Sequence, residues 1–174
     1  PLAQQAIDFA WQPSAYQAPQ VTQSFETLSM SANYGWIISE EDLSPLGESI
    51  LLDASIPVIG YIPRSVYQAA GIQDSVFQFR QQCLQDSLPQ DSQIVDDTPS
   101  LIQWVRQHHF RKLYILEPKQ GLWNTVLTTL ELELLKTNCQ LERVNHAFDL
   151  RYLASANAGF FKFKKQIPKF LSAL

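Results

Sequence analysis

Glycine is scarce. Six occur in 174 residues, and no two lie close enough to cradle a phosphate. No GxxxxGK(S/T), GxGxxG, GxSxG or HExxH run is present, so a P-loop, a dinucleotide fingerprint, a hydrolase elbow and a zincin helix are all unsupported. Cysteine is limited to Cys83 and Cys139, with no CxxC and no Cys/His cluster, so a zinc site is not expected and both are read as free thiols. Charged residues make up 17% against a usual ~25%. Apolar runs stay well short of the ~18 residues a membrane-spanning helix requires. The first residues lack a basic stretch followed by an apolar one, so a cytoplasmic location is expected. A chain opening on Pro1 is expected to be processed or part of a longer one. With 45% hydrophobic residues, a chain this long can bury about 70% of its extended surface, enough for one core without staples.

Charge is unevenly placed. Residues 1–63 hold seven acids and no Lys or Arg, whereas 151–174 hold five bases and no acid. Net charge is −4, so nucleic acid is not the expected partner of the whole chain. Residues 1–33 carry six Gln and three Pro and read as an arm. Its aromatics (Phe9, Trp11, Tyr16, Phe25) argue for partial packing. Residues 34–174 read as a single domain.

From residue 34 a strand–helix beat begins. Tyr34–Ser39 is the first strand, and Ser44–Ala54 a helix with Ser44 as N-cap and Pro45 in its first turn. Ile56–Ile62 is apolar throughout, as a strand covered on both faces must be. A loop with Pro63 and Gly71 precedes a helix at Asp74–Ser87. Gln93–Val95 is the third strand. Asp97 or Thr98 caps a helix starting at Pro99, whose apolar face is Leu101, Ile102, Trp104 and Val105. Lys112–Leu116, a helix from about Gly121 to Thr137, and Gln140–Val144 follow. Residues 158–171 form an amphipathic segment interrupted at Pro168. The pattern predicts an α/β fold: a doubly wound, Rossmann-like, five-stranded parallel sheet of order 3-2-1-4-5, flanked by helices.

In that order the switch point falls between strands one and four, and ligands bind outside the carboxyl ends of strands near it. The ligand-binding candidates placed there are Ser39, Glu40, Tyr61, Arg64, Asp96, Glu117 and Trp123. The acids Glu40, Glu41 and Asp42 could hold a metal or a ribose hydroxyl, yet they repel phosphate; a solvated loop is the expected role. Trp36 and Trp104 belong to the core, which leaves Trp11 and Trp123 as the freer rings for a planar ligand. His108 and His109 are adjacent and cannot form a metal claw. No catalytic residue and no metal ligand is assigned, and general acid–base chemistry lacks a pair. At the basic end, Lys162, Lys164, Lys165 and Lys169 alternate with Phe160, Phe161, Phe163 and Phe170. These lysines are candidates for nucleic-acid or partner contact, although a segment closing the domain has the same pattern.

Three segments carry a family resemblance. Trp36-Ile37-Ile38 with Asp42-Leu43 looks like the opening strand and W-F-R-x-D-L-R motif of the photolyase/cryptochrome N-terminal α/β antenna domain. Pro57-Val58-Ile59-Gly60-Tyr61-Ile62-Pro63, leading into Val76-Phe77-Gln78-Phe79-Arg80, is similar to that domain's second strand, proline loop and helix. Gly159-Phe160-Phe161-Lys162-Phe163-Lys164-Lys165 through Phe170 resembles the aromatic/basic segment that ends it. The likeness spans about residues 34–171. The family's two arginines after the first strand are replaced by Ser39, Glu40 and Glu41, with two extra residues. Its FAD-binding helical domain has no counterpart in these residues, so no FAD site and no photochemistry carries over. What the resemblance implies is a domain that is not catalytic by itself and binds a flavin, deazaflavin, folate or nucleotide-like ligand. A structural or protein-interaction module of degenerate Rossmann-like fold is the alternative. The expected partner is a small planar ligand or a protein; no membrane partner is expected.

Overall fold

The computed structural model describes residues 33–41, 43, 56–118, 121–145 and 160–172. The chain divides into two units, residues 22–147 and residues 1–21 together with 148–174. The first contains the sheet. Its strands are β1 Tyr34–Ile38, β2 Val58–Tyr61, β3 Gln93–Val95, β4 Lys112–Leu116 and β5 Gln140–Val144. All neighbours pair in parallel, in the order β3-β2-β1-β4-β5. The expected topology is therefore present, with β1 at the centre and the switch point between β1 and β4.

Helices cover both faces. α1 is Arg64–Ala69, α2 Asp74–Ser87, α3 Thr98–Gln107 and α4 Trp123–Leu135. Strand alternation sends successive residues to opposite faces. Trp36 and Ile38 of β1 join Tyr114, Ile62, Tyr67, Phe77 and Leu84 on the α1–α2 side. Ile37 joins Ile59, Tyr61, Ile115, Leu101, Trp104 and Leu127 on the α3–α4 side. Two layers of apolar side chains thus explain the almost unbroken apolar runs of β1, β2 and β4.

The local chemistry follows the sequence closely. The Asp97 carboxylate accepts the Ser100 amide at 2.7 Å and caps α3, with Pro99 in the first turn. Trp36 stacks on its cross-strand neighbour Tyr114 with ring centroids 5.2 Å apart. Cys139 is buried and Cys83 half-buried, both free. Burial pushes the Cys139 thiol up to about 11, which makes it inert at neutral pH.

Two elements differ from the sequence reading. The stretch after Pro63, read as a loop, is the short helix α1. It ends at Gly71, whose φ of 68° is left-handed, and the Gly71 amide returns to the Gln68 carbonyl at 3.0 Å. One and a half turns give too little periodicity to be seen. The basic tail forms two helices, α5 Phe160–Lys164 and α6 Ile167–Leu171, broken at Lys165–Gln166 rather than at Pro168. Pro168 sits in the first turn of α6, where a missing N–H costs nothing. The expected helix Ser44–Ala54 and the arm 1–33, apart from Asn33, lie outside the described residues.

Candidate functional site

The carboxyl ends of the strands gather most of the polar side chains singled out above. They form three clusters, and only the central one is buried. β1 ends at Ile38, and the two residues that follow, Ser39 and Glu40, are buried. Glu40 is only 6% exposed, and the expectation of a solvated acidic loop fails for it. Glu41, next in the chain, is exposed.

Glu40 is held from two helices. Its Oε1 accepts the Tyr67 hydroxyl of α1 and the Trp123 indole N–H of α4, the latter at 2.8 Å. Among the described residues the second oxygen, Oε2, has no hydrogen-bond partner, nor has the neighbouring Ser39 Oγ, and both are sealed from solvent. A buried polar atom without a partner costs about 1–3 kcal/mol. The Tyr114 hydroxyl of β4 is a further atom of this kind, but Ser39 Oγ and Glu40 Oε2 belong to neighbouring residues at the switch point. Among the described residues the carboxyl has no ion pair; Arg80 of α2 donates instead to the Tyr67 hydroxyl oxygen at 3.0 Å and to Glu41 Oε1 at 2.8 Å. Burial raises the Glu40 pKa, the hydrogen bonds from Tyr67, from Trp123 and from its own backbone amide pull it part of the way back, and the adjacent Glu41 charge adds to the rise. Burial likewise raises the Tyr67 hydroxyl far above its usual range, with the Glu40 contact acting in the same sense, so Tyr67 stays a donor. Since Oε1 already accepts two hydrogen bonds, a protonated Glu40 carries its proton on Oε2.

Tyr61 and Trp123 lie beside this acid but offer no free face. Both are almost wholly buried and meet edge to face at 5.8 Å. The Tyr61 hydroxyl pairs with Thr98 Oγ1 at 2.9 Å, and burial raises its pKa. Trp123 is therefore a wall of the site, not the freer ring expected from the sequence.

The flanking clusters are ion pairs open to solvent. Towards β3, Arg64 Nε donates to Asp96 Oδ2 at 2.7 Å, and its guanidinium lies 4.0 Å above the Phe77 ring. Towards β5, Arg143 bridges Glu131 at 2.7 Å and Glu117 at 3.5 Å. So of the seven candidates, Ser39, Glu40, Tyr61 and Trp123 come together, while Arg64 pairs with Asp96 and Glu117 with Arg143. Tyr67 and Arg80 were not foreseen. Tyr67 falls in the stretch read as a loop, whereas Arg80 left a signal as the sole base between Arg64 and Arg106, facing an acid-rich first strand end. Lys162, Lys164, Lys165 and Lys169 are exposed on α5, α6 and the turn between them.

Chemically, the central cluster can present one carboxyl oxygen and a hydroxyl to a hydrogen-bonding ligand. Among the described residues no group of three or more His, Cys, Asp or Glu could hold a metal. His108 lies at the other end of the sheet, with Nδ1 3.0 Å from the Trp104 carbonyl and its ring stacked on Phe110. A groove of about 560 Å³ at that amino end is lined by Ile56, Pro57, Gln93, Trp104 and His108, and no unpartnered buried polar atom is among its lining residues.

No family model matches the chain, and no curated protein or solved structure matches it either.

Proposed function

We propose that this chain is an antenna-type α/β binding module, similar to the N-terminal domain of photolyases and cryptochromes and not catalytic by itself. Its ligand is a small planar heterocycle taken up at the carboxyl edge between β1 and β4. One observation carries the reading: Glu40 Oε2 and Ser39 Oγ, adjacent and buried at the switch point, have no hydrogen-bond partner among the described residues. None of the described contacts offsets that cost, whereas a ligand edge that hydrogen-bonds the Glu40 carboxyl and the Ser39 hydroxyl would. Because the Tyr61 and Trp123 rings are already engaged, the ligand is held by these polar groups and by backbone rather than by stacking. The site is closed to solvent, so loading accompanies opening of the edge and a loaded ligand leaves slowly.

The test is an absorbance scan from the near ultraviolet to the visible on freshly purified protein, then mass spectrometry of the heat-released supernatant. A flavin, deazaflavin or folate band with the matching mass is expected. A colourless protein releasing no small molecule would overturn the reading.

A second reading has its own observation. Val76 and Phe79 stand nearly one turn apart on the outer face of α2, 42% and 69% exposed. Such a pair suits an interaction module with no ligand. Its signature is a molar mass that rises with concentration in the wild type and not in Phe79→Ser.

A further inference from the structure

The tail differs in kind from the sheet-bearing unit. Residues 22–147 carry eight bases against fifteen acids, whereas 151–174 carry five bases and no acid. Lys162, Lys164, Lys165 and Lys169 are all exposed. Between them the structure also exposes large apolar side chains: Phe160 at 66%, Phe161 at 80% and Leu171 at 64%. Phe163, Ile167 and Phe170 are half-buried, with the Phe163 and Phe170 rings 5.9 Å apart. The two short helices therefore have an inner apolar seam of their own, and the exposed Phe and Leu are surplus to it.

We propose that α5 and α6 form a docking surface for an anionic lipid bilayer, binding at the headgroup level without crossing it. Basic side chains beside exposed aromatic and aliphatic ones are the arrangement that inserts rings at the acyl boundary while ammonium groups remain among the phosphates. Charge complementarity selects an anionic surface, and the acid-rich remainder of the chain makes the tail the part that faces it. Three features favour lipid over single-stranded nucleic acid. The Phe160 and Phe161 rings stand at 68° to each other and make no parallel stacking platform. Leu171 has no ring to stack. All the bases of residues 160–172 are lysines, point charges suited to a diffuse phosphate surface, and none is the bidentate arginine. This goes against the expectation, from the sequence, of no membrane partner. That no described helix is long and apolar enough to cross a membrane bears only on spanning.

The test is co-sedimentation of the full chain with vesicles of phosphatidylcholine and phosphatidylglycerol, against phosphatidylcholine alone and against a poly-dT oligonucleotide in a parallel assay. Binding to the anionic vesicles only is expected, weakening as salt rises. Lys164→Gln with Lys165→Gln should weaken partitioning roughly 30-fold, at about a factor of 5 per lysine. Phe160→Ser with Phe161→Ser should also release the protein, although it leaves every charge in place. These side chains are exposed, so neither variant threatens the fold, and an unchanged circular dichroism spectrum checks that. No binding to anionic vesicles overturns the proposal. So does binding that survives both double variants, or binding to the oligonucleotide with none to vesicles.

Discussion

The two ends of the sheet solve the same problem in opposite ways. At the amino end, chain entry and exit are closed by rings and backbone bonds. His108 stacks on Phe110 and Trp104 meets both rings at a tilt, all within about 5 Å, the Arg111 amide donates to the Asn33 carbonyl at 3.0 Å, and Gln140 donates to the Arg111 carbonyl at 2.9 Å. At the carboxyl end, a carboxyl and a hydroxyl are buried with acceptor and donor capacity unspent. The amino end partners its rings and backbone with one another, although it also holds left-handed backbone at Asn33, His109 and Asn138. The carboxyl end gives stability away, which is the usual mark of a place kept for something other than folding.

The comparison is broken most forcefully at the amino end. Trp104→Ala should cost about 3–5 kcal/mol, because it empties a cavity beneath two rings. Denaturant melts would show it as a lower midpoint with an unchanged slope. Crowding the same site should cost less. A Cβ on Gly35 would sit 2.9 Å from the Trp104 ring and 3.0 Å from that of Phe110, both rigid, so Gly35→Ala should cost roughly 1–3 kcal/mol. If both variants melt like the wild type, the amino end is not the clamp described.

At the carboxyl end, Trp123→Phe keeps most of the ring and deletes the indole donor to Glu40. A loss of about 1–3 kcal/mol is expected, and the loss should grow as pH rises, since the deleted bond favours the ionised acid. Glu40→Gln tests the acid itself. The folded state raises the Glu40 pKa above the unfolded value of 4.5. Above that value the unfolded chain gives up its proton while the native one keeps it. The contribution is thus fully present below 4.5 and is lost as pH rises through the native pKa. Glu40→Gln should flatten that part of the stability–pH curve. A wild-type curve that rises over the same range would mean that Glu40 is ionised and stabilised in the fold.

How much of this was legible in sequence divides along the same line. Strand order, the Asp97 cap and the core places of Trp36 and Trp104 follow from periodicity and local chemistry, which the sequence displays directly. The position of Glu40 at the switch point was legible too, because topology assigns strand ends. Its burial was not. It depends on a hydroxyl twenty-seven residues away and an indole eighty-three away, and such pairing leaves no periodic trace. Trp123 misled for a related reason: at the start of an amphipathic helix a ring looks free, but its N–H reaches across to Glu40, just past the end of β1. α1 was missed because six residues cannot display a helical repeat.

The smallest expected effect separates the centre of the carboxyl end from its flank. Arg64 and Asp96 are about as close as a pair can be, at 2.7 Å, yet their side chains are 38% and 36% exposed. Solvent screens the attraction, and holding two flexible side chains in register costs entropy, so such pairs contribute at most about 1 kcal/mol. Arg64→Met should therefore cost less than that. Its methylene stem still covers Phe77, over which the guanidinium now lies, and that contact softens the loss further. The effect should vanish in high salt, whereas the Trp123→Phe loss, sealed from counterions, should not change. If instead Arg64→Met proves as damaging as Trp123→Phe and insensitive to salt, the flank is part of the buried cluster and the division of the edge into a dry centre and wet sides is wrong.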